Sequence, residues 1–138
     1  MISLIIGKKG SGKTKKMVDL VNETTSASKG NVVCIEKEPN LTFNVTNKAR
    51  LLDTDYYGVS GVDKLYGFIC GICAGNYDVT DIFIDETFRI VGRNYDQVAE
   101  LLAKLEGVSK QNDVKFYLTL SEDKENLPIE MFKYAEVI

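Results

Sequence analysis

The chain begins with the stretch Ile2-Ser3-Leu4-Ile5-Ile6-Gly7-Lys8-Lys9-Gly10-Ser11-Gly12-Lys13-Thr14. Residues 2–6 form a short apolar run rich in isoleucine, which is typical of a strand buried on both faces. The next eight residues, Gly7 to Thr14, match the pattern G-x-x-x-x-G-K-[ST]. Apolar side chains then recur at helical spacing at Met17, Leu20 and Val21. A strand, a glycine-rich turn and a helix in this order predict an α/β fold.

The rest of the chain repeats this alternation of apolar runs and helical-period segments. Buried strands are predicted at residues 32–35, 81–85 and 114–120, with a closing strand at 136–138. Helices are predicted to start at two capping boxes, Ser60 with Asp63 and Asn94 with Gln97, and a last short helix at Pro128. We therefore expect one three-layer α/β/α domain over residues 1–138, with a mainly parallel sheet of about five strands.

The segment 37–57 carries a weaker pattern. Leu41, Phe43 and Val45 alternate with polar residues, and residues 50–52 form a short run with two leucines. Alternation of this kind favours a half-buried strand. We expect residues 50–52 to pair beside the 41–45 segment as an added ribbon.

Composition excludes several kinds of chemistry. The chain has 138 residues, 17 basic and 20 acidic, for a net charge of −3, so a nucleic-acid partner is not expected. Histidine is absent, which removes imidazole acid–base catalysis, serine–histidine and cysteine–histidine nucleophiles, and histidine-ligated zinc. A large part of hydrolytic chemistry is thereby ruled out.

Three features predict a cytoplasmic protein without a membrane span. The N-terminal apolar run has no basic segment ahead of it, unlike a secretory signal, and the longest uncharged apolar stretch, 66–75, is too short to cross a bilayer. The three cysteines, an odd number, fit reduced thiols. Cys70 and Cys73 have metal-like spacing but are a single pair on an apolar helix face, so we expect them to pack.

The glycine-rich stretch has the residue types that a phosphate-binding loop needs. Glycines let backbone N–H groups turn toward phosphate oxygens, and the positive end of the following helix adds to the attraction. Lys13, in a solvated loop, would bridge the outer phosphates, and Thr14 would offer its hydroxyl to Mg²⁺. The candidate nucleotide-binding residues are Gly7, Lys8, Lys9, Gly10, Ser11, Gly12, Lys13 and Thr14. No Asn-Lys-x-Asp guanine motif is present, which favours ATP.

With this loop the sequence resembles the P-loop NTPases over essentially its whole length. The second signature of those proteins is a hydrophobic strand ending in an acidic residue, and Ile82-Phe83-Ile84-Asp85-Glu86 has that form. The resemblance implies that Asp85 holds Mg²⁺ on the side opposite Thr14. It also implies that Glu86 polarises the water that attacks the γ-phosphate.

The Asp-Glu pair resembles the additional-strand, catalytic-glutamate division, which includes the RecA-like and the twitching-motility (PilT-type) ATPase cores. That resemblance implies a P-loop NTPase fold in which the 114–120 strand lies between the phosphate-loop strand and the Asp85 strand. Thr119 or Ser121 would then be the polar sensor of the γ-phosphate or its water. Arg89 and Arg93 are expected in a solvated loop, with an arginine finger as the alternative.

The leading hypothesis is an ATP-binding, Mg²⁺-dependent ATPase with Lys13, Glu86 and Thr119 as its catalytic residues and Thr14 and Asp85 as its metal ligands. Two alternatives stay open. Ile84-Asp85-Glu86 followed by an aromatic residue also resembles the thymidine-kinase type, which implies a nucleoside or small-molecule kinase. A non-catalytic nucleotide-sensing module would instead signal occupancy to a protein partner. The expected ligand is a nucleoside triphosphate, and an unknown protein partner or self-association is compatible with the sequence.

Overall fold

The computed structural model describes residues 1–42 and 44–138, so the predicted role of Phe43 lies outside the described residues. The strands are β1 (Ile2–Gly7), β2 (Asn31–Glu36), β3 (Arg50–Asp53), β4 (Val79–Ile84), β5 (Lys115–Ser121) and β6 (Glu136–Val137). The α-helices are α1 (Lys13–Ala27), α2 (Val62–Gly75), α3 (Thr87–Val91) and α4 (Tyr95–Asn112). Two short 3₁₀ helices follow β5, at Lys124–Asn126 and Ile129–Lys133.

The strands form one sheet in the order β3-β2-β4-β5-β1-β6, and each neighbouring pair is parallel. Within the described part of the chain the sheet has six strands, one more than expected. β5 lies between β1 and β4, as predicted for the 114–120 strand, with Thr119 opposite Ile5 and Leu118 opposite Ile84. Because all strands run the same way, their carboxyl ends and the loops that follow them meet at one edge of the sheet.

Helices cover both faces of this sheet, as expected for an α/β protein. On one face Met17 and Val21 of α1 pack against Ile5, Cys34 and Phe83. The opposite face carries α2 and α4, and its core is built from Leu65, Ile69, Leu101, Leu102 and Leu105 with the apolar residues of the strands. The four inner strands of the sheet, β2, β4, β5 and β1, are therefore buried on both faces, which explains their continuous apolar sequences.

The helix starts bear out one predicted cap and contradict the other. The side chain of Asn94 accepts a hydrogen bond from the backbone N–H of Gln97 at 3.2 Å, so the cap of α4 is confirmed. The Ser60 cap is wrong, because α2 begins at Val62 and Gly61 is its N-cap, with φ +90° and no side-chain hydrogen bond. Glycine adopts this left-handed backbone readily, and its N–H is satisfied by the Ile90 carbonyl at 3.0 Å.

The predicted ribbon between residues 41–45 and 50–52 is also wrong. β3 pairs instead with β2, from Val33 opposite Arg50 to Glu36 opposite Asp53. Leu41 and Val45 are buried beneath α1 in turns, and the Asn44 and Val45 amides both donate to the Leu41 carbonyl at 3.0 Å. Their alternation therefore reflects two side chains anchored in the core rather than a strand.

The C-terminal elements follow the prediction. Pro128 precedes the 3₁₀ helix Ile129–Lys133, and β6 closes the sheet by pairing with β1, with Glu136 opposite Ser3. Among residues 1–42 and 44–138, none of the helices combines the length and the apolar character that a bilayer crossing requires.

Candidate functional site

The glycine-rich stretch forms a tight loop between β1 and α1. The Ser11 amide donates to the Lys8 carbonyl at 3.0 Å, and Gly12, with φ +88°, is the N-cap of α1 without a side-chain hydrogen bond. A Cβ on Gly7 would lie 2.5 Å from Ser11 Oγ and 3.2 Å from Ser11 Cβ, so a larger residue here would require the Ser11 side chain to move. Among the described residues no N-cap side chain occupies the first amides of α1, and the positive end of the helix favours an anion there.

Lys13 lies inside this loop rather than in solvent, which corrects the expectation of a solvated side chain. It is only 5% exposed. Its Nζ donates to the Lys8 carbonyl at 3.1 Å and lies 4.0 Å from Oε1 of Glu86. These two partners compensate for the loss of water around a buried ammonium group.

Thr14 and Asp85 meet across the gap between α1 and the end of β4. Thr14 Oγ1 lies 3.3 Å and 3.4 Å from the two carboxylate oxygens of Asp85. Burial raises the pKa of Asp85 above its ordinary value, the hydrogen bond from Thr119 opposes that rise, and the negative charge of Glu86 adds to it. A cation beside Thr14 and Asp85 would favour the ionised carboxylate.

Glu86 is held in a fixed orientation by β5. Its backbone is left-handed, with φ +48° and ψ +57°, and its amide donates to Thr119 Oγ1 at 2.6 Å. Ser121 Oγ donates to Oε2 of Glu86 at 2.8 Å. A left-handed backbone at a non-glycine residue costs on the order of 1–3 kcal/mol. The hydrogen bonds with Thr119 and Ser121 therefore hold Glu86 in a strained conformation in which its carboxylate lies toward Lys13.

The two sensor candidates have different surroundings. Thr119 is fully buried, and its hydroxyl accepts from the Glu86 amide while donating to Asp85 Oδ1 at 2.8 Å. Its hydroxyl is therefore committed to orienting the acidic pair. Ser121 is half-buried and contacts the Glu86 carboxylate, so it lies closer to the open part of the site.

Arg93 lies in the exposed segment 92–94 between α3 and α4, as expected, whereas Arg89 lies on the short helix α3 rather than in a loop. Arg89, on α3, pairs with Glu38 at 2.8 Å. Arg93 lies 3.6 Å from Glu122 and donates to Tyr95 Oη and to the Ser121 carbonyl. Both arginines thus have acidic partners within the chain. The exposed Lys8 at the loop tip likewise pairs with Asp123, at 3.5 Å.

Sequence reasoning missed Glu36, the last residue of β2. Its side chain is 3% exposed, and Oε1 accepts from the Asn40 and Leu41 amides at 2.7 Å and 3.2 Å. Glu36 forms part of the wall of a cavity of about 130 Å³ that also touches Thr14 and Asp85. A signal was present: residues 32–36, like 82–86, are a buried apolar strand ending in a carboxylate.

The protein offers two oxygen ligands for a magnesium ion, from Thr14 and Asp85, and the ion would take its other ligands from water and phosphate. Across the described ranges, 1–42 and 44–138, no group of three or more histidine, cysteine, aspartate or glutamate residues is arranged to hold a metal. Mg²⁺ commonly keeps several waters and takes one or two protein oxygens together with substrate phosphates. Thr14 Oγ1 and the Asp85 carboxylate fit that limited role.

The two cysteines with metal-like spacing, Cys70 and Cys73, lie away from this site. Cys73 is in the hydrophobic core and Cys70 packs against the core, as expected.

The site thus joins an anion-binding loop, a buried lysine, a hydroxyl–carboxylate pair and a second, oriented carboxylate at one edge of the sheet. Such a set can bind a polyphosphate with a divalent cation and orient a nucleophile beside it. No family model matches the chain, and no curated protein matches its sequence.

Proposed function

We propose that this chain is a P-loop NTPase that binds Mg²⁺·ATP at Gly7–Thr14 and hydrolyses the bound nucleotide. The observation that carries the proposal is the 3.3 Å approach of Thr14 Oγ1 to Asp85. This contact joins the last residue of the phosphate-loop motif to the carboxylate that follows β4. The two lie far apart in the chain, and no local sequence pattern brings them together. A glycine-rich turn with a purely structural role would not need a carboxylate at that place.

Binding uses the loop and the start of α1. The N–H groups of the loop and the positive end of the helix receive the phosphate oxygens, and Lys13 supplies a positive charge next to them. Thr14 and Asp85 would hold the magnesium ion, which when bound neutralises charge on the outer phosphates.

Hydrolysis uses Glu86. Ser121 and Thr119 orient this residue, and its Oε1 faces the same lysine that serves the phosphates. We infer that Glu86 orients and polarises a water beside the terminal phosphate, while Thr119 acts as a positioning residue for the acidic pair. Ser121, which touches the Glu86 carboxylate, is the better placed of the two sensor candidates.

The strand order supports the additional-strand, catalytic-glutamate division. In the resemblance to RecA-like and PilT-type ATPase cores, one strand separates the phosphate-loop strand from the magnesium-binding strand, and β5 occupies that position here. A cytoplasmic location is part of the proposal. The free thiols of Cys34, Cys70 and Cys73 fit a reducing compartment.

Thermal unfolding with and without nucleotide tests the proposal. A bound ligand stabilises a protein by RT ln(1 + [L]/Kd), about 2.7 kcal/mol at a hundredfold excess over Kd. We expect ATP with Mg²⁺ to raise the unfolding temperature, and ATP with EDTA to raise it less. ADP release should then follow in a product assay. If neither ATP nor another nucleoside triphosphate stabilises the protein in the presence of Mg²⁺, the proposal is wrong.

A further inference from the structure

A groove of about 450 Å³ lies between the C-terminal half of α2 and the amino-terminal parts of β2 and β3. Val33 of β2 and Leu52 of the edge strand β3 line it from the sheet, and Gly71, Ile72 and Gly75 line it from α2. Because β2 and β3 are parallel, their amino ends lie at the sheet edge opposite the proposed nucleotide site. This α2 groove is therefore a separate space that the proposed function does not use.

Two glycines of α2 leave the groove open. Gly71 and Gly75 are one turn apart, and a Cβ at either position would meet no heavy atom within 4 Å. Neither has the left-handed backbone that calls for glycine. A glycine in a helix costs on the order of 1 kcal/mol relative to alanine. The helix thus gives up some stability where side chains would otherwise cover Val33 and Leu52.

The α2 groove carries positive charge that the chain does not neutralise. Arg50 lies opposite Val33 in the β2–β3 register, so both side chains lie on the face of the sheet that α2 covers, and Lys48 lines the same groove. The other two arginines, Arg89 and Arg93, lie 2.8 Å and 3.6 Å from acidic partners. Within residues 1–42 and 44–138, Arg50 and Lys48 have no ion pair and no acidic residue lines the groove.

The lining of the groove suits an anion with an apolar body. Pockets for small molecules have volumes of about 300–1,000 Å³ and mainly apolar walls with a few polar groups. Val33, Leu52 and Ile72 offer aliphatic surface of this kind. The guanidinium of Arg50 can donate two parallel N–H groups to one carboxylate. In a chain of net charge −3, two cations without acidic partners beside an apolar surface favour such a ligand.

We propose that the α2 groove is a second ligand site, which binds a small carboxylate with an aliphatic body. The aliphatic body lies on Val33 and Leu52 beside the glycines of α2. The carboxylate pairs with Arg50, and Lys48 adds positive charge next to it. This inference does not rest on the nucleotide site, because the two sites are at opposite edges of the sheet.

Octanoate is the probe, and octanamide, which has the same carbon chain without the charge, is the matched control ligand. NMR titrations of the isotopically labelled full chain measure both Kd values and show which backbone amides shift. We expect octanoate to shift the amides of β3 and of residues 71–76, and not those of the phosphate loop. Octanamide should bind about fivefold more weakly, because it cannot form the partly exposed ion pair.

Gly75→Leu fills the groove without disturbing the fold. A helical side chain leans toward the N-terminus of its helix, so the new side chain would lie over Gly71. Gly67→Leu is the matched control, because a Cβ on Gly67 also meets no heavy atom within 4 Å but Gly67 does not line the groove. Leucine favours a helix more than glycine does, so neither variant should lose stability. We expect Gly75→Leu to weaken both probes by about tenfold, the equivalent of 1.4 kcal/mol. Gly67→Leu should leave both Kd values unchanged.

Arg50→Gln tests the charge while the aliphatic surface stays in place. We expect it to weaken octanoate by about fivefold and to leave octanamide unchanged. Lys64→Gln is the control for the loss of one positive charge, since Lys64 is exposed on α2 outside the groove.

Three outcomes overturn the inference. It is wrong if octanoate does not shift the amides of β3 and of residues 71–76, or if Gly75→Leu binds octanoate as wild type does. It is also wrong if Arg50→Gln retains the wild-type affinity for octanoate, because the groove would then bind no carboxylate through Arg50. Calorimetry with Mg²⁺·ATP on the same proteins tests the proposed function separately, and we expect Gly75→Leu and Arg50→Gln to leave that affinity unchanged.

Discussion

The ammonium group of Lys13 lies 4.0 Å from Oε1 of Glu86, and this is the charged contact between the phosphate loop and the acidic end of β4. Lys13 is buried, so its charge needs a partner in the absence of ligand. In the proposed function, phosphate oxygens take over that role. Nucleotide binding would then release Glu86 from the lysine, so that its carboxylate becomes available to a water.

Lys13→Ala should abolish binding of Mg²⁺·ATP, because it removes the positive charge nearest the proposed phosphates. At a hundredfold excess over the wild-type Kd, ATP should raise the wild-type unfolding temperature by about 10 °C and leave the variant unchanged. Lys15→Ala is the control, since Lys15 is exposed and pairs with Asp19 at 3.0 Å. Equal ATP-induced shifts in wild type and Lys13→Ala, measured by thermal unfolding, would contradict the role of Lys13.

Thr119→Val should destabilise the fold by about 1–3 kcal/mol, although it preserves side-chain shape. The lost hydroxyl leaves the Glu86 amide without its acceptor and leaves Asp85 Oδ1 with only the longer contact to Thr14, at 3.4 Å. Thr119→Ser, which keeps the hydroxyl, should lose less. The free energy of unfolding in urea measures the stability of both variants. A valine variant as stable as the serine variant would show that this hydroxyl does not hold the acidic pair in place.

The sequence predicted the elements whose signal is local and periodic. The Ile2–Gly7 strand, the loop and the α1 helix follow from one contiguous stretch, and the Asn94 cap follows from the capping pattern. Parallel strands buried on both faces give long apolar runs, so β4 and β5 were also foreseen. The position of β5 between β1 and β4 was predicted from the family resemblance, since no local pattern encodes strand order.

The remaining features depend on tertiary contacts that a single sequence does not display. α3 has five residues, too few for a helical period, and it follows a left-handed Glu86 that only contacts with Thr119 and Ser121 explain. Leu41 and Val45 have the spacing of a strand because both apolar side chains reach the core, although their backbone lies in turns. The buried state of Lys13 depends on Glu86, which is distant in the chain.

Glu122 predicts a pH dependence of stability. Hydrogen bonds from Asn126, Tyr95 and the Asp123 amide lower the pKa of Glu122 to about 2 from its ordinary 4.5. The unfolded chain therefore binds a proton between these values that the folded chain does not. The stabilisation is complete above about pH 4.5 and is lost as the pH falls toward 2.

Glu122→Gln removes this titration. We expect wild type to exceed the variant in free energy of unfolding by a constant amount from pH 7 to pH 5, and the difference to shrink as the pH falls from 4.5 to 2. Urea unfolding at several pH values measures it. A difference that is independent of pH over this range would show that the hydrogen bonds to Glu122 do not favour its ionised form.

Asp113→Gly should stabilise the protein by about 0.5–1 kcal/mol. Asp113 is the C-cap of α4 and has φ +53° and ψ +48°, a left-handed backbone that glycine adopts without the Cβ penalty. Its side chain is exposed, so little packing is lost. Asp113→Ala keeps the Cβ and should not stabilise. The urea midpoints of the two variants should therefore move apart, and equal midpoints would contradict the argument.

Glu86→Gln should separate nucleotide binding from hydrolysis. The glutamine keeps the shape of the side chain and an acceptor for Ser121, but it loses the charge that polarises the water. We expect Mg²⁺·ATP to bind while single-turnover cleavage falls by roughly 10²–10⁴-fold, the contribution of a positioned general base. Asp85→Asn should differ, because it weakens the Mg²⁺-dependent part of binding as well. If Glu86→Gln cleaves ATP at the wild-type rate, Glu86 is not catalytic. A binding protein that senses nucleotide would then explain the site better than an ATPase.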